Sequence, residues 1–164
     1  MPPCTIRPAT PADLDAINTI YNHYVLHSTC TYQTEPSTPE ERAAWFAAHG
    51  PRLPVTVAEL DGAVAGWGAL SPFHSRSAYR HTVENSVYVR HDLQRRGIGS
   101  ALLADLIERA RRLGHHTILG IIDAEQAPSI ALHERFGFRR ASHLREVGHK
   151  LGRWLDVVHM QLIL

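Results

Sequence analysis

The residues best placed to do chemistry lie in a short segment with two closely spaced glycines, residues 94–100. The segment reads Gln-Arg-Arg-Gly-Ile-Gly-Ser and follows a strand-like run that ends at Val89. It leads into a predicted helix, whose apolar residues Ile98, Leu102 and Leu106 are spaced four apart. The first N–H groups of a helix lack carbonyl partners and, with the helix dipole, attract anions. The segment therefore predicts a binding site for a phosphorylated ligand.

The glycines and arginines of this segment suit contact with a pyrophosphate. Gly97 and Gly99 lack a Cβ atom, so the ligand can approach the main chain closely. Arg95 and Arg96 add charge-assisted hydrogen bonds. On the glycines alone, a tight strand-to-helix turn is the simpler interpretation, and the segment matches neither a Walker A loop nor a dinucleotide fingerprint. The pattern Gln94-x-x-Gly97-x-Gly99 resembles the acyl-CoA-binding motif of the GCN5-related N-acetyltransferase superfamily.

The composition is that of a globular protein. With 164 residues, 44% apolar and 20% charged, the chain suits a single domain over residues 1–164. A net charge of +1 argues against a general nucleic-acid binder. No apolar run reaches the ~20 residues of a membrane span, and the first residues lack the apolar core of a signal peptide. Cys4 and Cys30 form no disulfide framework, so we expect a cytoplasmic protein. From the net charge and the lack of long apolar runs, we expect no nucleic-acid and no membrane partner.

Twelve histidines raise the question of a metal site. His23 and His27 are four residues apart on a predicted helix, a spacing that can chelate zinc. No third ligand stands at a useful spacing, and His115 and His116 are neighbours that point to different faces. We therefore predict no protein-held metal.

Turn and capping signals place these motifs on secondary structure. Thr10-Pro11-Ala12-Asp13 and Thr38-Pro39-Glu40-Glu41 each predict the start of a helix. Asp61-Gly62, between two apolar runs, predicts a β-hairpin. A helix connects the strand that ends at Val89 to the strand that starts at Thr117, which predicts a parallel pair.

The predicted order of elements is β-α-α-β-β-β-α-β-α-β-β, in which residues 148–152 separate the last two strand-like runs. This order predicts an α/β fold with a mixed central β-sheet and helices on both faces. It matches the acetyltransferase fold, so the resemblance extends beyond the glycine loop.

Within the superfamily, the chain resembles the branch of phosphinothricin and methionine sulfone/sulfoximine N-acetyltransferases. The resemblance covers nearly the whole chain without a large gap. Thr82-Val83-Glu84 and the Gly-Arg-Trp-Leu-Asp tail are specific to this branch, whereas the glycine loop is superfamily-wide. The segments that carry the resemblance are Arg7–Thr10, Ile20–Asn22, Tyr79–Glu84, Ser86–Val89, Leu132–Arg135, Glu146–Gly148 and Gly152–Asp156.

The resemblance implies transfer of an acetyl group from acetyl-CoA to the primary amine of a small amino-acid analogue. It implies that backbone groups of Val87 and Val89 hold the pantetheine arm and the acetyl carbonyl, and that residues 95–100 hold the pyrophosphate. It also implies a homodimer, formed partly through the tail. The cofactor contacts that we expect are Val87, Tyr88, Val89, Gln94, Arg95, Arg96, Gly97, Ile98, Gly99, Ser100, Gln126 and Ser129.

Glu84 matches the residue regarded as the general base of the branch. An amine must lose its proton before it attacks a thioester, and a carboxylate that acts directly or through water suffices for this. The apolar neighbours Val83 and Val87 favour a raised pKa for Glu84 through desolvation. The alternative is that Glu84 only pairs with Arg80 or a nearby histidine.

Two further groups serve the tetrahedral intermediate and the departing thiolate. A backbone N–H of Val89 or its neighbour is the candidate donor to the oxyanion. His133 stands where many superfamily members have a tyrosine in the last helix, and an imidazole can act as an acid near neutral pH. The alternative for His133 is a hydrogen-bonding residue of that helix.

Two departures from the branch pattern concern the ligands. Gln126 replaces an asparagine whose amide contacts the cofactor, and because Gln keeps the amide we expect acetyl-CoA binding to persist. Phe73 is followed by His74 where the branch has arginine, and an arginine comes only at Arg76, which leaves the identity of the substrate open. The substrate-binding residues that we predict are Tyr32, Phe73, His74, Arg76, Arg80 and Glu84.

Other functions stay open at this point. The amine could belong to a polyamine, an aminoglycoside or a protein N-terminus. A polycation requires clustered carboxylates, and only Glu35 and Glu84 stand near the predicted cleft. The chain could also be a non-catalytic CoA-binding sensor, but such a protein has no use for a base beside the thioester, so Glu84 discriminates between the two.

Overall fold

The computed structural model describes residues 4–164, which form a seven-stranded sheet and four α-helices. Single turns of 3-10 helix lie at residues 11–13, 77–79 and 91–93. The order of strands and helices is the one predicted from the sequence. The elements are β1 Thr5–Pro8, α1 Leu14–His27, α2 Pro39–Ala47, β2 Val55–Leu60, β3 Ala63–Pro72, β4 Thr82–Val89, α3 Ile98–Arg112, β5 Thr117–Asp123, α4 Ala127–Arg135, β6 Arg139–Lys150 and β7 Arg153–Ile163.

The sheet is mixed, with the strand order β1-β2-β3-β4-β5-β7-β6. Neighbouring strands are antiparallel except for β4 and β5, which are parallel. Helix α3 connects these two strands, because a parallel pair cannot be joined by a tight turn. The predicted mixed sheet with a parallel β4–β5 pair is therefore confirmed.

Both predicted helix starts are present. In α2, the Thr38 hydroxyl accepts a hydrogen bond from the Glu41 N–H (3.1 Å), and the Glu41 carboxylate accepts one from the Thr38 N–H (2.9 Å). This capping box satisfies donors that the first turn leaves free. At the first start, Asp13 accepts a bond from the Thr10 N–H (2.8 Å), but the turn that follows is a 3-10 turn and α1 begins at Leu14.

Alternate residues of β4 face opposite sides of the sheet. Val83 packs in the core that α3 and α4 cover, with Leu106 and Ile130. Tyr88 packs in the core of the other face, against Trp67 of β3 and Ile17 of α1. Helices α1 and α2 therefore cover one face and α3 and α4 the other, as predicted.

The last two strands form a hairpin whose turn is shorter than residues 148–152, the separation predicted from the sequence. The turn consists of Leu151 and Gly152, and Gly148 lies inside β6. A bulge with Glu146 at a φ of 51° precedes that glycine. The end of β6 contacts the loop between α1 and α2, where the Lys150 ammonium donates to the Thr31 carbonyl (2.7 Å).

Among residues 4–164, no helix has the length and apolarity that a membrane span requires.

Candidate active site

The parallel strands β4 and β5 pair over three residues and then separate. Their register runs from Thr82 beside Thr117 to Glu84 beside Leu119. Beyond that point β5 continues its ladder with β7, and β4 continues with β3. The Asn85 side chain replaces the next bond between the two strands, since its Nδ2 donates to the Leu119 carbonyl (3.1 Å). A gap in the sheet therefore begins at Asn85.

The edge of β4 that faces this gap carries main-chain groups that are not used by β3. The Arg90 N–H donates to the Ala65 carbonyl of β3 (2.8 Å), so the even-numbered residues of β4 form the hydrogen-bonded pairs of that ladder. The N–H and C=O groups of Val87 and Val89 therefore point towards the gap. An extended ligand with amide groups can pair with such an edge as an added strand does.

The gap opens into a cleft of about 630 Å³ that we call the β4–β5 cleft. Tyr24 and Cys30 line it at the face of the sheet covered by α1, and Leu132 and His133 of α4 line it at the opposite face. The cleft therefore passes through the sheet. It is also lined by most of the predicted cofactor residues, namely Val87, Tyr88, Val89, Gln94, Arg95, Gly97, Ile98, Gly99, Ser100, Gln126 and Ser129.

The glycine loop reaches α3 through a left-handed backbone conformation. Gly97 has a φ of 81°, which an L-residue with a side chain adopts only at a cost. Arg95 also has a positive φ, of 61°, and lines the cleft, whereas the predicted contact Arg96 does not line it. The first hydrogen bond of α3 joins the Ala101 N–H to the Gly97 carbonyl (3.0 Å). The N–H groups of residues 98–100 precede that bond and have no acceptor within the helix, as the sequence predicts for this helix start.

Tyr24 connects α1 to both walls of the cleft. Its hydroxyl donates to the Val89 carbonyl (2.6 Å) and accepts a hydrogen bond from the Gln94 amide (2.8 Å). Burial raises the pKa of this hydroxyl, so it stays a donor at neutral pH. The bridge fixes the end of β4 relative to the glycine loop. The sequence does not predict it, because Tyr24 is far from Val89 and Gln94 along the chain.

His133 is buried beside the cleft, with 4% of its surface exposed. Its Nε2 lies 3.1 Å from Asn85 Oδ1, and its Nδ1 lies 2.8 Å from the Ser129 carbonyl. Gly120 of β5 leaves room for the ring, because a Cβ atom there would lie 2.8 Å from it. Burial lowers the pKa of His133, partly offset by the bond to Ser129. Asn85 and Gly120 were not predicted as site residues, and no short-range pattern marks them.

Glu84 lies at the last paired position before the gap. Its side chain shares a face of β4 with Ser86 and Tyr88, the face that α1 and α2 cover. Burial raises the pKa of its carboxyl group, in the direction expected from the sequence. Within residues 4–164 no ion pair includes this carboxylate, so the alternative pairing with Arg80 is not formed.

A second cavity, of about 390 Å³, lies on the same face, between α1, α2 and the strands β3 and β4. Ser86 and Tyr88 line both this cavity and the β4–β5 cleft. Arg42 of α2 and Trp67 of β3 also line it, and we call it the Arg42 cavity. Glu84, two positions before Ser86 on the strand, lines neither cavity.

The substrate-binding residues predicted in the loop before β4 lie on the surface. The ring of Tyr79 packs against Phe73 (5.5 Å between ring centres) and His74 (5.0 Å). Arg76 and Arg80 are exposed, and neither cavity is lined by any residue of this loop. His74, Arg76 and Arg80 therefore face solvent in the single chain, and Phe73 is half-buried.

Tyr32, the other predicted substrate residue, packs against the last hairpin. Its ring rests on Gly148, and its hydroxyl donates to the Asp156 carbonyl (2.8 Å). Burial raises the pKa of Tyr32 to about 12. Tyr32 lines neither the β4–β5 cleft nor the Arg42 cavity.

The histidines considered as metal ligands form a surface stack. The rings of His23 and His27 lie 4.9 Å apart, and His23 stacks on His91 at 3.9 Å. In the part of the chain that the structure describes, no three His, Cys, Asp or Glu side chains are arranged to hold a metal ion.

Comparison with known proteins shows which family the chain matches. Residues 17–138 match the model of the acetyltransferase (GNAT) family. The chain is 42% identical over 159 residues to the L-methionine sulfoximine/L-methionine sulfone acetyltransferase of Salmonella typhimurium, which covers 96% of this chain and 93% of that protein. It is 41% identical over 155 residues to the phosphinothricin N-acetyltransferase of Streptomyces viridochromogenes, which covers 94% of this chain and 85% of that protein.

Solved structures agree with this relationship. A putative acetyltransferase from Salmonella typhimurium, solved with its cofactor acetyl-CoA, superimposes with a TM-score of 0.95 at 41% identity, over 98% of this chain and 93% of that one. A GNAT phosphinothricin acetyltransferase from Sinorhizobium meliloti, in complex with acetyl-CoA, gives 0.96 at 39% identity, over 98% and 88%. The resemblance predicted from the sequence is thereby confirmed, and this chain belongs to the GNAT family of acetyltransferases.

Proposed function

We propose that this chain transfers the acetyl group of acetyl-CoA directly to the primary amine of a small amino-acid analogue of the methionine sulfoximine, methionine sulfone or phosphinothricin type. The relatives named above act on such compounds. The observation that carries the proposal is the gap between β4 and β5. One edge of the gap has main-chain groups that β3 does not use, and the gap begins just after Glu84, whose carboxylate forms no ion pair within residues 4–164.

Acetyl-CoA fits the β4–β5 cleft by its chemistry. The pyrophosphate accepts hydrogen bonds from the N–H groups of residues 98–100 and pairs with the guanidinium of Arg95. The amides of pantetheine pair with the N–H and C=O of Val87 and with the N–H of Val89, which face the gap, while the Val89 carbonyl is bound by Tyr24. The same edge supplies a fixed N–H donor for the oxyanion of the tetrahedral intermediate. When bound, acetyl-CoA supplies the activated acyl group, and the chain supplies orientation and proton transfer.

The amine approaches from the face of the sheet that carries Glu84. An amino group that reaches the thioester is mostly protonated at neutral pH, so a base must remove one proton before attack. Glu84 is half-buried, and burial raises the pKa of its carboxyl group, which brings its basicity closer to that of the amine. Glu84 therefore acts as the general base.

His133 is placed on the other side of the gap, where the thiolate of CoA departs. The ring lines the cleft and is held by Asn85 and Ser129. As the C–S bond breaks, a proton from this imidazole neutralises the leaving thiolate and the attacking nitrogen loses its extra proton to water, which completes the transfer without a covalent intermediate on the chain. In this assignment the base and the acid lie on opposite faces of the sheet and act on the same thioester in the gap.

The chain forms a homodimer through the last hairpin in this proposal. Leu144, Val147, Leu151 and Trp154 are large apolar residues of β6, its turn and β7 that are 43–63% exposed. A patch of this kind on one hairpin is typical of a subunit interface. The exposed loop with Phe73, His74, Arg76 and Arg80 gains a role in substrate binding only if a second copy brings another surface close to it.

A thiol-release assay tests the proposed function. Purified protein is mixed with acetyl-CoA and, separately, methionine sulfone, methionine sulfoximine, phosphinothricin and a polyamine, and free CoA is measured. We expect release with at least one of the three amino-acid analogues and none with the polyamine. If acetyl-CoA binds but no amine in the panel releases CoA, the chain is the CoA-binding sensor considered above and the catalytic proposal is wrong.

A further inference from the structure

The Arg42 cavity contains a buried positive charge without a carboxylate partner. Arg42 is 4% exposed, and its Nε donates to Asn18 Oδ1 (3.1 Å). None of the ion pairs formed within residues 4–164 includes Arg42. Glu41 also lines the cavity, but its carboxylate caps α2 at the Thr38 N–H. A buried charge of this kind is costly unless an anion or further acceptors compensate it.

Aromatic rings form the walls around this guanidinium. Its central carbon lies 4.6 Å from the ring centre of Tyr21, 4.7 Å from that of Trp45 and 5.7 Å from that of Trp67. These cation–π contacts fix the plane of the group and offset part of its desolvation. The hydrogen bond to Asn18 uses only the Nε–H, so the terminal N–H donors stay available to an acceptor in the cavity.

A second donor at the same cavity also has no partner. Trp67 is 2% exposed, and its indole Nε1–H makes no hydrogen bond within the part of the chain that the structure describes. Burying an N–H without an acceptor is unfavourable, and such groups are rare in folded proteins. The same cavity is therefore lined by a buried guanidinium without a carboxylate partner and by a tryptophan whose indole N–H has no acceptor.

We propose that the Arg42 cavity is the subsite that holds an oxyanion group of the acceptor, either its α-carboxylate or an acidic group at the end of its side chain. This inference rests on the proposed function and deepens it. The cavity lies on the face of β4 that carries Glu84, and Ser86 and Tyr88 separate it from the β4–β5 cleft. Ser86 is two residues from Glu84, about 7 Å along the strand. An acceptor held by Arg42 thus places its amine near Glu84.

The subsite accounts for selectivity among amines. A polyamine or aminoglycoside brings only positive charge to Arg42 and is repelled, whereas an amino-acid analogue brings a compensating anion. The guanidinium offers several N–H donors in one plane, and an oxyanion accepts several such bonds at once.

The test compares the wild type with Arg42→Met and with a control, Arg112→Met, which removes an exposed arginine on α3 paired with Glu108. The acceptors are methionine sulfone, its α-carboxamide and phosphinothricin. If the cavity binds the α-carboxylate, R42M raises KM for methionine sulfone about 10- to 100-fold and changes that for the carboxamide little. If it binds the side-chain group, the increase appears with phosphinothricin only. In both cases KM for acetyl-CoA stays within about two-fold, and R112M behaves as the wild type.

A second variant keeps the inference testable if R42M does not fold. Trp67→Phe keeps an aromatic, smaller ring at this position and removes the indole N–H, and we expect a 3- to 10-fold increase in KM for the same acceptor, of about the size of one hydrogen bond. Equal changes for all three acceptors in the folded variants, or no change, would overturn the inference. If the wild type releases CoA with none of the acceptors, the proposed function fails instead, so the two failures are distinguishable.

Discussion

The imidazole of His133 and the amide of Asn85 are joined across the base of the β4–β5 cleft, with 3.1 Å between Nε2 and Oδ1. Asn85 Nδ2 donates to the Leu119 carbonyl, so Oδ1 faces the ring as an acceptor, and Nδ1 of the ring faces another acceptor, the Ser129 carbonyl. A protonated ring satisfies both contacts, whereas burial disfavours the protonated form and lowers its pKa. His133 is therefore held ready to carry a proton and to release it easily.

The first prediction concerns this proton. An acid contributes only while it is protonated, so its contribution to kcat falls as the pH rises through its pKa, which lies below the ordinary value for histidine. We expect His133→Phe to lower kcat most at acidic pH, about 10²-fold, and progressively less towards alkaline pH. The measurement is kcat against pH for both proteins.

Asn85→Asp is the companion variant. It places a negative charge beside Nε2, which raises the pKa of His133 and extends its acid contribution to higher pH. If H133F lowers kcat by the same factor at every pH, His133 has a packing role only, and the assignment of the acid is wrong.

The second prediction concerns Glu84. Glu84→Gln removes the base, so turnover should fall about 10²-fold or more, while the affinity for acetyl-CoA changes little. Glu84→Gln is compared with Glu35→Gln, which alters an exposed carboxylate in the loop between α1 and α2. Full activity of E84Q would remove Glu84 from the mechanism.

Stability gives an independent test of the Glu84 environment. The pKa of Glu84 is raised in the folded state, so the folded state binds a proton that the unfolded state releases more readily. That stabilisation is present below the ordinary pKa of Glu and is lost as the pH rises through the raised value. The Tm of E84Q minus the Tm of the wild type should therefore be larger above the raised pKa of Glu84 than at acidic pH. An unchanged difference in Tm from acidic to neutral pH contradicts a raised pKa.

Much of this architecture follows from local patterns, and the rest depends on contacts between distant segments. The capping residues Thr38 and Glu41, the Asp61-Gly62 turn and the glycine loop each act over a few residues, so the sequence is enough to predict them. The contacts of His133 depend on strand register, because Asn85 and Gly120 lie far from it in the sequence.

Arg42 illustrates the same limit. It follows two glutamates at the start of a short helix, where a charged side chain is normally solvated. It is buried because Tyr21 and Trp67, from other elements, close around it. Likewise, the sequence indicates a break around Gly148, but this glycine lies inside β6, where the ring of Tyr32 packs on it.

The third prediction tests the bridge made by Tyr24. Tyr24→Phe removes the hydrogen bonds to the Val89 carbonyl and the Gln94 amide, which loosens the glycine loop relative to β4. We expect KM for acetyl-CoA to rise about 3- to 10-fold, the effect of roughly 1 kcal/mol. Tyr79→Phe, in the exposed loop before β4, is the matched control. An unaltered KM in Y24F would show that the loop is held by its own backbone.

The fourth prediction uses the close approach of Gly120 to His133. Gly120→Ala brings a methyl group against the ring and forces it to move, at a cost of about 1–3 kcal/mol in the free energy of unfolding. kcat should fall at the same time, because the ring leaves its position. Gly50→Ala is the control, since a Cβ atom there meets open space. If G120A and G50A are equally stable and active, the packing described here is wrong.

The fifth prediction concerns the subunit interface. Trp154 is 63% exposed in the single chain, and Trp154→Glu places a charge in the apolar patch of the last hairpin. We expect the wild type to be a dimer and W154E a monomer by light scattering coupled to size-exclusion chromatography. Leu26→Glu, which changes an exposed apolar residue of α1, should leave the dimer intact. A monomeric wild type at all concentrations contradicts the proposed homodimer.

A crystal structure of the chain with CoA and methionine sulfone tests the central claim most directly. We predict that the pyrophosphate contacts the N–H groups at the start of α3, that the pantetheine pairs with the β4 edge at Val87 and Val89, and that the amine lies within hydrogen-bond reach of Glu84 directly or through one water. Cofactor bound elsewhere, an empty β4–β5 cleft, or an amine on the opposite face of the sheet from Glu84 would contradict the account.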